Sequence, residues 1–168
     1  MAENDAVDVI RRYLEDAIAA EKSFETQLRG FSREGDNPMV QRLFAEHADE
    51  TKFQYELLTR RLDALGGSPS MTKSFMAHMF NLTPKAATLG HDKEERTTQN
   101  LLMAYAVEHS EIGMYEALAA AADEAGDTET SRMARQIQQQ ERATADKVWG
   151  QIEVCAREAF HAVTNTHA

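Results

Sequence analysis

Glu21, His47, Glu50, Glu108, Glu111 and Glu141 are the side chains of this 168-residue sequence whose types and spacing could hold metal. Each glutamate sits in an otherwise apolar helical stripe. Glu21 falls between Ala17 and Phe24 or Leu28, Glu50 between Leu43 and Leu57 or Leu58, and Glu141 between Ile137 and Val148. Glu108 and Glu111 lie in AYAVEHSEIGMYEAL, in line with Ala104, Tyr115 and Leu118, and His47 precedes Glu50 by three residues on the same helical face. A carboxylate on a buried face is costly unless something pairs with it. Several of them together in a low dielectric repel one another strongly, and two divalent metal ions would relieve that repulsion. Carboxylates with one imidazole suit iron or manganese better than a thiolate-seeking metal, and ligand type alone does not choose between the two. Iron is the first expectation and manganese the second.

The elements that must position these groups read as helices throughout. Apolar residues recur at helical spacing over 6–31, 38–65, 97–124 and 129–162, and no segment alternates with period two, so no sheet is expected. REGDNP ends the first helix, with Asp36 or Asn37 as N-cap and Pro38 in the first turn of the second, which GGSP stops. MTKSFMAHMF predicts a short amphipathic helix over 70–81, with Met71, Met76 and Met79 on its packing face. NLTPKAATLGHDKEER reads as irregular chain or one more short turn, and Gly150 is a possible weak point in the last helix. Four long helices, two tight turns and a long middle connection predict one all-α domain over 1–168. Its fold is a four-helix bundle of two helical hairpins joined by a crossover that carries one or two short helices.

The hairpins look like degenerate copies. AAEKS in the first helix matches AVEHS in the third, and GDN in one turn matches GDT in the other. Glu50 lies 15 residues after Gly35 and Glu141 lies 15 after Gly126, while Glu21 lies 14 before Gly35 and Glu111 and Glu108 lie 15 and 18 before Gly126. At a rise of ~1.5 Å per residue, equal counts on either side of a turn bring groups to similar height on antiparallel helices. Glu21 is therefore expected to face Glu50, and Glu108 and Glu111 to face Glu141.

Composition excludes several partners. A formal charge of −10 argues against nucleic acid and anionic membrane surfaces, both of which select for clustered Lys and Arg. The acidic start MAENDAVDVIRR lacks the apolar stretch of a signal peptide, and no run of about 18 apolar residues exists to span a membrane, so a cytoplasmic protein is expected. Cys155 is the single cysteine, which rules out an internal disulfide and a Cys-based zinc site. It reads as a packing residue, with a reactive thiol as the alternative.

At YLEDAIAAEK, FAEHADET, AVEHSEIGMYEAL and QQQERATADKVW the chain resembles the YciE/YciF-type ferritin-like proteins over nearly its whole length. The resemblance implies a bundle related to rubrerythrin and ferritin, often dimeric and associated with bacterial stress responses. Carried over residue by residue, it implies metal ligands at Glu21, Glu50, Glu108, Glu111 and Glu141. The chain departs from the Glu-x-x-His pattern of ferritin-like oxidases, because Phe53 follows Glu50 and Thr144 follows Glu141 at the third position. The histidine lies upstream instead, at His47, and its counterpart on the last helix is Gln138, a weak ligand at best.

Two functions remain open. One is a di-metal oxidoreductase that reacts with oxygen or peroxide, as the resemblance implies. It would draw on an unknown electron donor that must be another molecule, since no Cys-rich rubredoxin segment is present. The other is a non-catalytic metal-binding or structural homodimer of the stress response. Tyr115, four residues after Glu111, is either core packing or a hydrogen-bonding or redox group behind the metals. His109 points about 100° away from Glu108 and reads as a surface or partner contact, with support of a carboxylate as the alternative. His78 and His91 lie in the crossover, and His161 and His167 read as tail residues.

Overall fold

The protein is described here from a computed structural model covering residues 2–69 and 90–166. The expected short helix over 70–81, with His78 and its methionines, lies outside the described residues, as does His167. Among the described residues the regular elements are α1 (Ala2–Phe31), α2 (Pro38–Ala64), a single 3-10 turn (Lys93–Glu95), α3 (Arg96–Glu124) and α4 (Thr128–Thr166). The ends of the four long helices fall within about one turn of the expected positions. The 3-10 turn supplies the extra short turn expected before the third helix. α4 runs through Gly150 without a break, because Val148 and Cys155 on either side of it are buried and hold that stretch against the core.

Local chemistry fixes where the helices begin. Asn37 has an extended backbone and its Oδ1 accepts from the backbone N–H of Met39 at 3.1 Å and of Val40 at 3.2 Å, with Pro38 in the first turn where no amide hydrogen is needed. Asp127 does the same for α4, accepting from Thr130 N at 3.0 Å. The two hairpin turns carry Gly35 at φ 75° and Gly126 at φ 71°, a left-handed backbone that side chains disfavour. At Gly35 there is a second reason, since a Cβ would lie 2.1 Å from Thr97 Oγ1.

The contacts define the topology. α1 packs along α2 and α3 along α4, and α1 also packs against α3. Arg11, near the start of α1, donates to the Leu65 carbonyl just past the end of α2. At the opposite end Gly35 touches Thr97, and Asn100 Nδ2 donates to Glu34 Oε2 at 3.1 Å. The end of α2 and the start of α3 therefore lie at opposite ends of the bundle, as two hairpins joined by a crossover require.

Among the described residues the core falls into two apolar clusters. One holds Ile10, Leu14, Ile18, Leu58, Leu62, Leu118 and Ile137, and the other holds Phe24, Leu28, Phe44, Leu101, Val107 and Val148. The sequence places a set of buried polar groups between them: Glu21, His47, Thr51, Glu108, Glu111, Gln138, Glu141 and Thr144.

One cation ties α2 to the turn of the other hairpin. Arg61 donates from Nε to Thr130 Oγ1 at 2.8 Å, from Nη1 to Glu129 Oε2 at 2.7 Å and from Nη2 to Asp127 Oδ1 at 2.6 Å. Burial alone would raise the Asp127 carboxyl, but hydrogen bonds from Arg61 and Thr130 outweigh it and hold it below the usual range. Because Arg61 is 13% exposed, its bonds escape much of the screening that weakens surface pairs. Arg61→Met is expected to cost about 2 kcal/mol, the scale of hydrogen bonds to charged groups. Urea denaturation of the metal-free protein checks it, and a loss below about 0.5 kcal/mol, the size of an ordinary surface change, refutes the clamp.

Candidate metal centre

All four helices contribute to the polar layer, and the carboxylates of Glu21, Glu108, Glu111 and Glu141 lie close enough for their charges to act on one another. α1 brings Glu21, α2 brings His47 and Glu50, α3 brings Glu108 and Glu111, and α4 brings Glu141. Glu21, Glu108 and Glu111 are fully buried, Glu141 is 1% exposed and His47 is 3% exposed. Glu50 differs: it lies on the same face of α2 but is half-buried, at the edge of the layer, where its charge still reaches Glu21.

The tightest grouping is His47 with Glu108 and Glu141, whose nearest ligand atoms all lie within 4.8 Å of one another. His47 Nδ1 is 3.2 Å from Glu108 Oε1 and His47 Nε2 is 3.8 Å from Glu141 Oε2, so one imidazole faces two carboxylates from the other hairpin. Phe24 sets its ring nearly perpendicular to the imidazole, with centroids 5.3 Å apart, and closes the site on the α1 side.

The neighbouring part of the layer is Glu21, Glu111 and Tyr115. Tyr115 is completely buried and its hydroxyl donates to Glu21 Oε1. The hydroxyl serves a cluster carboxylate while the ring packs in the core, so both sequence readings of Tyr115 describe part of what it does. His109 is exposed and packs against Tyr105 with ring centroids 4.2 Å apart and the planes tilted by 50°, its Nδ1 3.0 Å from the Tyr105 carbonyl, so it stands outside the layer. Gln138, the positional counterpart of His47, directs its amide to the Ile112 carbonyl at 2.9 Å and to Glu116 at 2.8 Å. His91 pairs with Glu95 at the start of α3, and His161 is exposed beside Phe160.

The sequence reading missed Gln54. It is 1% exposed, and its Nε2 donates to Glu141 Oε1 across the hairpin interface. The signal was present, since Gln54 lies four residues after Glu50 and seven after His47 on one apolar-flanked face. The Glu-x-x-His pattern points to the i+3 position instead, which Phe53 occupies.

Electrostatics sets this layer apart from an ordinary core. Burial raises Glu21, with the charges of Glu141 and Glu50 adding to it and the Tyr115 hydrogen bond opposing it. Burial also raises Glu108, followed by the charges of Glu141 and Glu111 and by a proton shared with Glu141. Glu111 is raised by burial and then by Glu21 and Glu141, and the Tyr115 phenol is likewise pushed up by burial and the adjacent carboxylates. With the carboxylates ionised, both oxygens of Glu108 and Glu111, Oε2 of Glu21 and both nitrogens of His47 lack a well-formed hydrogen bond, although His47 Nδ1 approaches Glu108 Oε1 to 3.2 Å. Buried acceptors are normally satisfied. A set of orphaned carboxylate oxygens around an imidazole fits the donor chemistry of a divalent cation.

The fold is one that known proteins share. Residues 6–160 match the family described as Domain of unknown function (DUF892). A protein from Xanthomonas campestris pv. campestris superposes with a TM-score of 0.80 at 26% identity, covering 95% of this chain and 99% of that one. The E. coli stress protein YciF has the same fold at a TM-score of 0.80 and 22% identity, over 91% of this chain and 98% of that one. The bacterioferritin of Desulfovibrio desulfuricans, whose structure contains a diiron site, matches at a TM-score of 0.67 and 15% identity, over 97% of this chain and 86% of that one. The architecture is thus the ferritin-like four-helix bundle.

The raised carboxylates predict a pH dependence with a definite sign. A carboxyl whose folded pKa lies above its unfolded value contributes most below the unfolded pKa, and that contribution is lost as pH rises through the folded value. The metal-free protein is therefore expected to gain stability on acidification from pH 8 towards pH 5, by up to about 1.4 kcal/mol per pH unit for each proton taken up. Glu108→Gln/Glu111→Gln should flatten that slope. Urea midpoints across this range check it, and parallel slopes for the two proteins would refute it.

Proposed function

The chain belongs to the DUF892 family, and on that footing we propose that it is a single-domain ferritin-like di-metal protein that reacts with oxygen or peroxide. The observation that carries this reading is the set of buried acceptor atoms without partners on Glu21, His47, Glu108 and Glu111. His47, Glu108 and Glu141 would hold one divalent ion, and Glu21 and Glu111 a second, with Glu50 reaching in from the edge. Two adjacent ions of a redox metal supply two electrons together to a small oxidant. Iron is the first candidate and manganese the second.

The protein's own residues do the rest. Four helices bring oxygen donors together, where Glu21 and Glu111 would hold a second ion near the one held by His47, Glu108 and Glu141. The apolar clusters on either side limit water. Tyr115 holds Oε1 of Glu21 and keeps that carboxylate oriented; its raised phenol stays protonated and remains a donor at neutral pH. Electrons come from a separate donor, and a stress role is proposed in line with the E. coli neighbour's description.

A second reading, a metal-binding homodimer without catalysis, is favoured by exposed apolar side chains: Met39, Phe53, Trp149 and Phe160 are each more than half exposed. A homodimer is compatible with both readings, and light scattering giving a monomer at micromolar concentration would remove it. No helix among the described residues is long and apolar enough to cross a membrane, and a cytoplasmic location is part of the proposal.

Two measurements test the centre. Ferrous or manganous ion at about 100 times its dissociation constant should stabilise wild type by about 2.7 kcal/mol, while Glu108→Gln/Glu141→Gln should lose that shift. Equal thermal shifts in both proteins would sink the metal reading. Tyr115→Phe should retain both ions by elemental analysis, and loss of metal there would make Tyr115 a ligand. Oxidation of added ferrous iron with consumption of oxygen or peroxide then separates the catalytic reading from the structural one.

A further inference from the structure

The polar layer receives two neutral donors, and each crosses from one hairpin to the other. Tyr115 of α3 donates to Glu21 of α1, and Gln54 of α2 donates to Glu141 of α4. Nothing in the reading of the centre above gives Gln54 a task. It is buried, it is neutral, and its amide nitrogen is directed at one oxygen of one carboxylate. A second, longer contact runs from the same nitrogen to Gln140 Oε1 at 3.4 Å, and Gln54 Oε1 has no partner.

The consequence follows from counting oxygens. A carboxylate offers two. On Glu141, Oε1 is taken by Gln54, and Oε2 is the atom turned to His47, 3.8 Å from Nε2. On Glu108 and Glu111, taken as ionised, none of the four oxygens accepts a well-formed hydrogen bond, and the one close approach is His47 Nδ1, 3.2 Å from Glu108 Oε1. The carboxylates are therefore not equivalent, although they share burial and height. An amide N–H bound to one oxygen lowers that atom's availability and fixes the rotation of the carboxylate, which is how groups behind metal ligands set ligand geometry.

We propose that Gln54 is a positioning residue that reserves Oε1 of Glu141, so that Glu141 offers a metal ion one oxygen and the two-oxygen role falls to Glu108 and Glu111 on α3. This assignment rests on the di-metal reading and deepens it. It also separates the chain from a symmetrical arrangement in which Glu50 and Glu141, at equivalent positions of the repeated hairpins, would act alike. Glu50 is half-buried at the edge of the layer, and Glu141 is committed on one side.

The alternative is that Gln54 only fills space, and the test must tell these apart. Gln54→Met keeps the length and burial of the side chain and removes the donor; Gln54→Asn keeps the amide but falls one methylene short of Glu141, and serves if the Met variant does not fold. The probe is Co2+ alone, titrated into metal-free protein. Its visible absorption reports coordination number, and its dissociation constant reports affinity. Circular dichroism confirms that each variant is folded.

With Gln54 in its proposed role, both variants bind Co2+ about 10-fold or more weakly, within the range for loss of a group behind a ligand. Their spectra change as the freed oxygen of Glu141 alters the coordination. A folded variant with the wild-type spectrum overturns the proposal even if affinity has fallen, because a packing defect weakens binding without changing which oxygens bind. Absence of Co2+ binding by wild type is a different failure, since it removes the metal reading itself and this assignment with it.

Discussion

Buried carboxylates between two apolar clusters are the constraint on which the rest of the structure depends. The charges of the layer fall at one height on four helices, so the core cannot be a continuous apolar column. It is divided instead, with Leu14, Leu58 and Leu118 on one side and Phe24, Phe44 and Leu101 on the other. A layer of this kind lowers the stability of the metal-free chain, because ionised groups lose solvation and repel one another. Its position between the two buried clusters therefore points to a use that outweighs that cost.

Partial compensation is visible in the layer. Tyr115 and Gln54 each donate to a carboxylate, and the His47 imidazole stands between Glu108 and Glu141. Burial pushes Glu21, Glu108 and Glu111 towards the protonated form, which removes charge where no donor is available. Protons and cations thus compete for the same oxygens. The donors come from the opposite hairpin in both hydrogen bonds, so the layer joins the hairpins as well as burdening them. Far from it, the Arg61 clamp fixes the end of α2 on the turn between α3 and α4. The layer is held in register from outside its own chemistry.

Near-repetition within the chain made much of this visible before any coordinates. Equivalent turns at Gly35 and Gly126 set the zero from which residue counts place Glu50 and Glu141 at one height, and helical rise does the rest. Equal counts from the turns do not give equal burial: lateral packing leaves Glu50 half-buried and buries Glu141 against Gln54. Height along an axis follows from counting; depth within a bundle depends on which helices flank the residue.

The sequence by itself determined the helices, the hairpin turns, the crossover topology and the set of acidic residues sharing one level. Those features follow from local rules: apolar period, capping at Asn37, left-handed glycine at Gly35 and Gly126, and a fixed rise per residue. Only the tertiary structure decided which oxygens are free. That Tyr115 reaches Glu21, that Gln54 reaches Glu141, and that Gln138 turns away to Ile112 and Glu116 depends on how each helix is rotated about its axis and which rotamer packing allows. Rotation is set by contacts among all four helices at once, and no spacing within one helix encodes it.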